Sequence, residues 1–361
     1  MTAEGEQTAY GWVAGRRQRD FRCAATPSGA LAFHRPLPGY AVTPLTPLPR
    51  LAEELGLGAV YAKDESSRLG LPAFKGLGAS WAVRRVVEEF GSTGPLTLAT
   101  ATDGNHGRAV ARFARLEGHR AAVFVPRGVH PDAISAIRAE GADVTSLDGD
   151  YDDAVSAARQ FADSAPDRVL VQDMAWEGYD RIPQWIVDGY DTLFAEIDDQ
   201  LDGRQPDLVI VPTGVGSLLQ AALTHYRHDT TGQRTAVVAV EPASAACVAA
   251  SLTAGRAIAV ATGVTTMAGL NCGTPSSLAW PLIAAGLDGA IAVDDAASAT
   301  AARDLASEGV AAGPCGAAPL AGLRALRADR DSAGPGDPLD LGPGSLVVVL
   351  VTEGAEANPQ T

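Results

Sequence analysis

The feature that most constrains the fold is an alternation of short apolar runs with longer Ala-rich runs along most of the chain. Apolar runs bounded by turn residues predict strands, and runs with apolar residues three or four apart predict helices. The predicted strands are residues 60–63, 96–100, 121–125, 143–147, 169–172, 208–211, 236–240 and 345–351. The predicted helices are residues 51–55, 75–87, 107–117, 132–140, 151–164, 182–201, 218–226 and 296–312. This alternation predicts an α/β fold of twisted, mostly parallel sheets with helices on both faces.

The length and the hydrophobic content predict two lobes. A chain of 361 residues, 46% of them hydrophobic, can bury a substantial core, and chains of this size commonly divide into two domains. We expect residues 1–83 and 184–361 to form the larger lobe. Residues 84–183 are expected to form a smaller, mobile lobe that closes over the functional site.

The charge balance excludes several classes of partner. The formal net charge of -15 at pH 7 argues against nucleic acid and anionic membranes. No apolar run is long enough to span a bilayer, and the segment from Met1 to Gln7 has no signal-peptide core. We therefore expect a cytoplasmic protein. No metal site is expected, because zinc-ligand spacing is absent from the four cysteines, Cys23, Cys247, Cys272 and Cys315.

Polar, Gly-rich turns follow two of the predicted strands, at the ends where parallel sheets bind ligands. The turn from Thr102 to Gly107 follows strand 96–100 and opens a helix. Its free backbone N–H groups and the helix N-terminus would hold a carboxylate or a phosphate. The turn from Gly214 to Ser217 follows strand 208–211 and is the better phosphate site, since it lacks a carboxylate. Ordinary strand-to-helix turns would explain the glycines of both segments equally well.

Two further strand ends carry polar side chains. Asp173 follows strand 169–172 and lies close in sequence to Trp176 and Tyr179. An aspartate at such a position is more often a helix N-cap than a base. Thr352 follows the last predicted strand, so its hydroxyl would face the same edge of the sheet.

Lys75 lies at the predicted start of a helix, after the strand at residues 60–63 and a polar turn. A helix N-terminus and apolar surroundings favour the neutral form of a lysine amine. The neutral amine is the nucleophile that forms Schiff bases with carbonyl groups such as that of pyridoxal phosphate. A solvated surface lysine is the commoner alternative for any single lysine. The chemical role of Lys75 therefore depends on the other motifs.

Together these motifs resemble the fold-type II pyridoxal-phosphate enzymes, and within them the diaminopropionate ammonia-lyase family. The resemblance runs in the family's order from about residue 33 to residue 356. The matching blocks are Lys63-Asp-Glu-Ser66, Ala73-Phe-Lys75, Thr102 to Gly107, Gln172-Asp173, Ala175 to Tyr179, Gly214-Val-Gly216, Glu241-Pro242, Met267 to Leu270, Cys272-Gly273 and Thr352-Glu-Gly354. The implied fold is a two-lobed α/β fold of this class.

The resemblance implies how the cofactor, pyridoxal 5'-phosphate, is held. Lys75 would bind it covalently as a Schiff base. Asn105 would hydrogen-bond its phenolic oxygen, and Thr352 would lie against its pyridine nitrogen. A neutral hydroxyl at that nitrogen leaves the ring less electron-withdrawing, which favours elimination over transamination. The backbone donors to the phosphate would come from Gly214, Val215, Gly216 and Ser217.

The resemblance also implies an amino-acid substrate and its contacts. The substrate-binding residues would be Thr102, Asp103, His106, Asp173 and Tyr179. Related dehydratases and racemases usually carry a small neutral residue in place of Asp103. A carboxylate there, joined by Asp173, suits a substrate with a second ammonium group. Lys75 and one of the two aspartates are the catalytic candidates, as bases on opposite faces of the substrate, so that D- and L-2,3-diaminopropionate would both yield pyruvate and two ammonia.

Other activities stay open. Pro314 and Cys315 stand where the family has an acidic residue and a hydroxyl, so β-elimination or β-replacement on a related amino acid in a secondary pathway is one alternative. A serine/threonine dehydratase is another, and it would not need the paired aspartates. A non-catalytic pyridoxal-phosphate-binding protein is a third, and the retention of Lys75 with both aspartates argues against it.

The resemblance further implies a homodimer. Cys247 and Cys272 lie inside matching blocks and could approach one another, although two buried thiols are favoured in a reducing cytoplasm. The sequence does not determine the physiological substrate, its stereochemistry, which aspartate is the base, or any cation requirement.

Overall fold

A computed structural model describes residues 11–18, 20–27, 29–91, 94–228, 235–328 and 339–357. The segment from Met1 to Gln7, on which the prediction about a signal peptide depended, lies outside these residues. In the described ranges, no helix is both long enough and apolar enough to cross a lipid bilayer.

Strands and helices alternate through most of the chain. The strands are β1 (Trp12–Ala14), β2 (Leu45–Pro47), β3 (Ala59–Asp64), β4 (Thr97–Ala101), β5 (Arg120–Val125), β6 (Asp143–Ser146), β7 (Arg168–Leu170), β8 (Leu208–Pro212), β9 (Ala236–Pro242), β10 (Gly289–Val293) and β11 (Leu346–Val351). The helices are α1 (Ala30–His34), α2 (Pro49–Glu54), α3 (Lys75–Phe90), α4 (Asn105–Leu116), α5 (Pro131–Ala139), α6 (Tyr151–Asp163), α7 (Arg181–Gln200), α8 (Ser217–Arg227), α9 (Cys247–Ala254), α10 (Ala279–Gly286), α11 (Asp295–Ser307) and α12 (Pro314–Ala328).

The strands of the described residues form two sheets. In these residues, the larger sheet has seven strands in the order β1-β10-β9-β8-β11-β3-β2, and the smaller has four in the order β6-β5-β4-β7. Among the described strand pairs, all pairs in the smaller sheet are parallel, and in the larger sheet only the edge strands β1 and β2 pair antiparallel. Every residue of β8, β9 and β11 is buried, as expected for parallel strands that are covered on both faces. The predicted α/β class with mostly parallel sheets is therefore confirmed.

Each predicted strand and helix has a counterpart in the structure, but some boundaries and elements differ. The helix predicted at residues 296–312 ends at Ser307, and Gly309 follows with a φ of +86° that an α-helix does not accommodate. The sequence pattern did not predict β1, β2, β10, α1, α9, α10 or α12. These segments are short, uniformly apolar or rich in Ala, Gly and Pro, so they lack a clear period.

The smaller sheet uses strands between residues 97 and 170, inside the range 84–183 that was predicted for the smaller lobe. The predicted limits at residues 83/84 and 183/184 fall inside α3 and α7, which pack against each other. The division into a larger and a mobile smaller lobe stays a prediction.

His225 forms an ion-pair bridge between α7 and α8. Its Nδ1 lies 3.2 Å from Asp191 Oδ1 and its Nε2 lies 2.9 Å from Asp198 Oδ2. Burial lowers the pKa of the imidazole, but the two carboxylates outweigh burial and raise it to about 9 from the usual 6.5. A raised folded-state pKa means that the bridge stabilises the fold fully below pH 6.5 and that this contribution is lost as the pH rises through 9.

We expect His225→Gln to be clearly less stable than the parent chain at pH 6. The difference in stability should be much smaller at pH 10, where the parent has lost the charged bridge. Urea unfolding midpoints of both proteins at the two pH values measure this change. An equal difference at pH 6 and pH 10 would contradict the ion-pair explanation.

Candidate active site

The residues that follow β4, β7, β8 and β11 line one cavity of about 380 Å³. Parallel strands bring their carboxyl ends to one edge, which explains why segments distant in sequence meet here. Of the residues predicted for the site, the cavity is lined by Lys75, Thr102, Asp103, Asn105, His106, Asp173, Gly214, Val215, Gly216, Ser217 and Thr352.

Lys75 is the first residue of α3, and its Nζ donates a hydrogen bond of 2.6 Å to Asp173 Oδ2. Burial lowers the pKa of the Lys75 ammonium, but the adjacent Asp173 carboxylate outweighs burial and raises it above its usual value. Burial alone would raise the pKa of Asp173, but His106 and Lys75 hold it well below its usual range. The expectation of a neutral Lys75 amine is therefore wrong for this arrangement, because the sequence did not reveal that Asp173 touches it.

Asp103 lies in the same cavity. Burial, with a smaller contribution from the charge of Asp173, raises the pKa of Asp103 to about 6. The described residues that line the cavity include five with carboxyl side chains, Asp103, Asp150, Asp152, Asp173 and Glu353, and one lysine, Lys75, an arrangement that favours cationic groups of a ligand.

The turn between β4 and α4 is held by its own side chains. Thr102 Oγ1 accepts hydrogen bonds from the N–H groups of Gly104 at 3.0 Å and Gly107 at 3.2 Å. His106 Nε2 donates to the Val171 carbonyl oxygen at 2.8 Å. Its buried Nδ1 has no hydrogen-bond partner in the described part of the chain and lies 3.9 Å from Asp173 Oδ2. Thr102 and His106 therefore fix the shape of the turn that carries Asp103.

The turn between β8 and α8 has the properties of an anion site. Gly216 has a φ of +98°, and the N–H groups of Gly214 and Gly216 donate to no acceptor in the described residues. A Cβ added at Gly214 would lie 2.9 Å from Cys272 Sγ and 3.2 Å from the Gly269 carbonyl oxygen, so no side chain fits there. Ser217 Oγ donates 2.7 Å to the Asp173 carbonyl oxygen. Free N–H groups at the N-terminus of α8 favour a bound phosphate.

Glu353 was part of a matching block, but the sequence analysis gave it no role. The residue is 3% exposed, and its side chain lines the cavity. Its Oε2 accepts a hydrogen bond of 2.8 Å from Asn105 Nδ2, and its Oε1 accepts one of 3.1 Å from the Cys315 N–H at the start of α12. Glu353 therefore fixes the orientation of Asn105 and caps the helix that begins at Pro314. Cys315, one of the departures from the family pattern, also lines the cavity.

The positions of two tyrosines relative to the cavity differ from those expected from the sequence. Tyr179 does not line the cavity: its hydroxyl donates to the Leu170 carbonyl oxygen at 2.9 Å, and its ring stacks on Trp176. Its position therefore does not support the predicted contact with substrate. Tyr151, which was not predicted, lines the cavity and accepts a hydrogen bond of 2.8 Å from Gln172 Nε2. Its place at the start of a helix, after a predicted strand end, was a usable signal.

All four cysteines of the chain are free thiols, so Cys247 and Cys272 form no disulfide. Within the described ranges, no group of three or more His, Cys, Asp or Glu side chains is arranged to hold a metal ion.

Comparisons with known proteins identify the family to which this chain is similar. Residues 36–353 match the family described as pyridoxal-phosphate dependent enzyme. The diaminopropionate ammonia-lyase of Salmonella typhimurium is 38% identical over 298 residues, which cover 76% of this chain and 74% of that protein. The crystal structure of the Escherichia coli diaminopropionate ammonia-lyase in complex with D-serine has a TM-score of 0.87 and 32% identity, and the alignment covers 95% of this chain and 93% of that chain. The chain belongs to the diaminopropionate ammonia-lyase family.

Membership of this family confirms the fold-type II class, the enzymatic nature and the pyridoxal-phosphate cofactor that the motifs implied. A more distant relative is the biosynthetic L-threonine dehydratase of Mycobacterium tuberculosis strain H37Rv, which is 30% identical over 333 residues that cover 90% of this chain and 70% of that protein.

The residues of the cavity fit pyridoxal phosphate. Lys75 supplies a primary amine, and the turn at Gly214 and Gly216 supplies free N–H groups at the wall of the cavity. Thr352, which is 3% exposed, supplies a neutral hydroxyl at the end of β11. The individual roles of these residues stay predictions.

Proposed function

We propose that the chain is a pyridoxal-phosphate-dependent lyase that converts 2,3-diaminopropionate to pyruvate and two ammonia. The observation that carries this proposal is the placement of two carboxylates, Asp103 and Asp173, in one cavity with Lys75. A substrate with a second ammonium group complements this charge, whereas the hydroxyl of serine or threonine does not.

Pyridoxal phosphate, when bound, supplies the electron sink that stabilises negative charge at the substrate Cα. Lys75 would hold the cofactor through its amine, and the N–H groups at the start of α8 would bind the phosphate. The turn that carries Asp103 would bind the substrate carboxylate through its backbone. The Asp103 carboxylate would pair with the β-ammonium group until that group leaves as ammonia. Free aminoacrylate then takes up water and releases the second ammonia, which leaves pyruvate.

Lys75 and one aspartate are the candidates for removing the Cα proton of the two enantiomers. A base works best when its pKa lies near the working pH. The pKa of Asp103, raised to about 6 by burial and by the charge of Asp173, meets this condition. The much lower pKa of Asp173, which His106 and Lys75 hold down against the effect of burial, makes Asp173 the weaker base. We therefore assign the second base to Asp103.

A serine/threonine dehydratase is the second candidate, because a threonine dehydratase matches 90% of this chain. That chemistry gives no use for a carboxylate at residue 103. The homodimer, the cytoplasmic location and the closure of residues 84–183 over the substrate stay predictions that accompany either activity.

The deciding experiment is a parallel assay of keto-acid and ammonia release. The purified protein, loaded with pyridoxal phosphate, is given L- and D-2,3-diaminopropionate, L- and D-serine and L-threonine. Pyruvate with two ammonia per turnover from diaminopropionate supports the proposal. Turnover of serine or threonine without turnover of diaminopropionate would move the chain to the dehydratases.

Asp103→Asn is expected to lower kcat/KM for both isomers of diaminopropionate by at least about 10-fold, because the charge-assisted contact to the β-ammonium group is lost, and by about 100-fold more for the isomer whose Cα proton Asp103 removes. The parent enzyme should also lose kcat/KM as the pH falls through the Asp103 pKa of about 6, because protonation removes the same charge. This acid limb should be absent from the variant. Measurement of kcat/KM from pH 5 to pH 9 checks both effects.

Asp148→Asn is the matched control, since the Asp148 side chain is 96% exposed and pairs with Arg127 outside the cavity. It should leave kcat/KM and the pH profile unchanged. Parent-like activity of Asp103→Asn on both isomers would refute the assignment of Asp103.

A further inference from the structure

Tyr190 on α7 carries a buried hydroxyl that the proposed chemistry has not used. The residue is fully buried, and its hydroxyl has no hydrogen-bond partner among the described residues. A buried hydroxyl without a hydrogen-bond partner in the protein costs free energy, so each such group calls for an explanation. The Tyr190 hydroxyl is therefore a candidate for a hydrogen bond that forms in only one state of the site.

The ring of Tyr190 lies against the helix face that carries Lys75. Gly78 is three residues after Lys75, and residues at this spacing share one face of a helix. A Cβ added at Gly78 would lie 2.6 Å from Tyr190 Cε1, so the tyrosine ring occupies the space that a side chain at residue 78 would need. The ring also packs against Phe74, with 4.7 Å between the ring centroids. Lys75 Nζ in turn lies 5.3 Å from the centroid of the Phe74 ring.

The charges around the phenol also identify its neighbour. Burial, opposed by the charge of Lys75 and assisted by that of Asp173, raises the pKa of Tyr190 to about 12. The phenol therefore keeps its proton near neutral pH, and it can act as a hydrogen-bond donor. In the conformation described, Lys75 Nζ donates to Asp173 at 2.6 Å, and the Tyr190 hydroxyl lies near enough to Lys75 that the contact between the two side chains lowers the pKa of the phenol.

The Lys75 nitrogen needs different partners in its two protonation states. The ammonium form is a donor, and the Asp173 carboxylate is its acceptor. The neutral amine has a lone pair that accepts, and an ionised carboxylate has no proton to offer it. A buried hydroxyl with no partner, packed on the same helix face, is the donor that the neutral amine lacks.

We propose that Tyr190 is a positioning residue for Lys75: its hydroxyl donates a hydrogen bond to the neutral amine once the amine leaves Asp173, and so it increases the fraction of Lys75 that is neutral. This inference rests on the proposed function only in taking Lys75 as the cofactor-binding lysine. The alternative is that Tyr190 is only a space-filling ring over Gly78, in which case its hydroxyl has no effect on Lys75.

Tyr226 provides a matched control within the same chain. It lies on the adjacent helix α8, is 8% exposed, and also has a buried hydroxyl with no hydrogen-bond partner in the described residues. The charges that act on it are those of Asp198 and Arg227, and it does not line the cavity. Tyr226→Phe therefore removes the same kind of group at a position whose electrostatic neighbours do not include Lys75.

The test compares the full-length parent chain, Tyr190→Phe and Tyr226→Phe after removal of cofactor. The rate at which added pyridoxal phosphate becomes linked to Lys75 is followed by its visible absorbance from pH 6 to pH 10, with borohydride reduction to count the linked lysine. Tyr190→Phe lacks the donor to the neutral amine, so its Lys75 should become linked to the cofactor about tenfold more slowly than that of the parent at pH 8. The pH profile of the linkage rate should be displaced upward by about one pH unit in this variant. Tyr226→Phe should overlay the parent.

Urea unfolding of the cofactor-free proteins separates positioning from packing. Both variants keep the aromatic ring and lose an unpaired hydroxyl, so both should be as stable as the parent or more stable. A linkage profile of Tyr190→Phe that overlays the parent would overturn the proposal, and so would equal displacements in both variants. The linkage measurement needs no diaminopropionate, so it is independent of the proposed function. A parent protein that links the cofactor but releases no pyruvate from diaminopropionate would contradict the proposed function and would leave the result for Tyr190 unchanged.

Discussion

Lys75→Ala is expected to abolish covalent attachment of pyridoxal phosphate and to reduce keto-acid release by at least about 10³-fold, because Lys75 is the only lysine among the described residues that line the cavity. The visible band of the linked cofactor should be absent, and borohydride should trap no cofactor on the chain. Lys75→Arg is the matched variant, since its guanidinium keeps a positive charge beside Asp173 but cannot lose a proton to become a nucleophile. Both variants should be inactive, for the same chemical reason.

The two variants should differ in stability, which separates the chemical role of Lys75 from its ion pair. Lys75 Nζ lies 2.6 Å from Asp173 Oδ2, and it contributes to the depressed pKa of that buried carboxylate, to which His106 also contributes. A depressed folded-state pKa stabilises the fold above the unfolded value of 3.8. Lys75→Ala loses part of this stabilisation at pH 7, whereas Lys75→Arg should retain most of it. A Lys75→Arg protein that still released pyruvate would overturn the assignment of Lys75.

The sequence predicted the elements that carry the site better than the contacts between them. The starts of α3, α4 and α8 follow from turns whose polar and glycine residues end a strand and begin a helix. The hydrogen bonds that join these turns, such as Ser217 to Asp173, link residues far apart in the chain. Local propensity and period carry no information about such pairs, so the charge state of Lys75 was predicted incorrectly.

Tyr179 and Glu353 show one physical reason why sequence does not reveal side-chain contacts. Tyr179 follows a strand end, as the true cavity residues do, but its hydroxyl is used by the backbone of the adjacent strand. Glu353 lies just after a strand that was predicted correctly, yet its function depends on Asn105, which is 248 residues away. Motif spacing locates a residue along a strand or helix, whereas only the packed structure determines which partner its side chain finds.

The contacts across the cavity suggest why these residues act together. Asn105 begins the helix after β4 of the smaller sheet, and Glu353 follows β11 of the larger sheet. Asp173 follows β7 of the smaller sheet and contacts both Lys75 and Ser217. Each of these hydrogen bonds joins the edge of one sheet to an element beside the other. A shift of one sheet relative to the other would therefore change the surroundings of Lys75 and Asn105 together.

A buried ion network holds the segment that leads from β3 to Lys75. Arg68 donates to both oxygens of Glu65 and to both oxygens of Glu196, each at 2.7 Å, and the side chains of all three are at most 2% exposed. Lys63 Nζ adds a contact of 2.7 Å to Glu196 Oε2. Because the network joins the strand before Lys75 to α7, it fixes where α3 begins. Replacing Arg68 leaves two buried carboxylates with too little positive charge around them.

Arg68→Met is therefore expected to lower the free energy of unfolding by about 3–5 kcal/mol, the usual cost of removing one partner from a buried ion pair. Arg84→Met is the control, because Arg84 pairs with Glu88 at 2.9 Å on the exposed face of α3, where both side chains are more than 40% exposed. Such a surface pair contributes about 0.5 kcal/mol or less. Urea unfolding of the cofactor-free proteins at pH 7 measures both changes. If Arg68→Met lost no more stability than Arg84→Met, the network would not be what anchors the Lys75 segment.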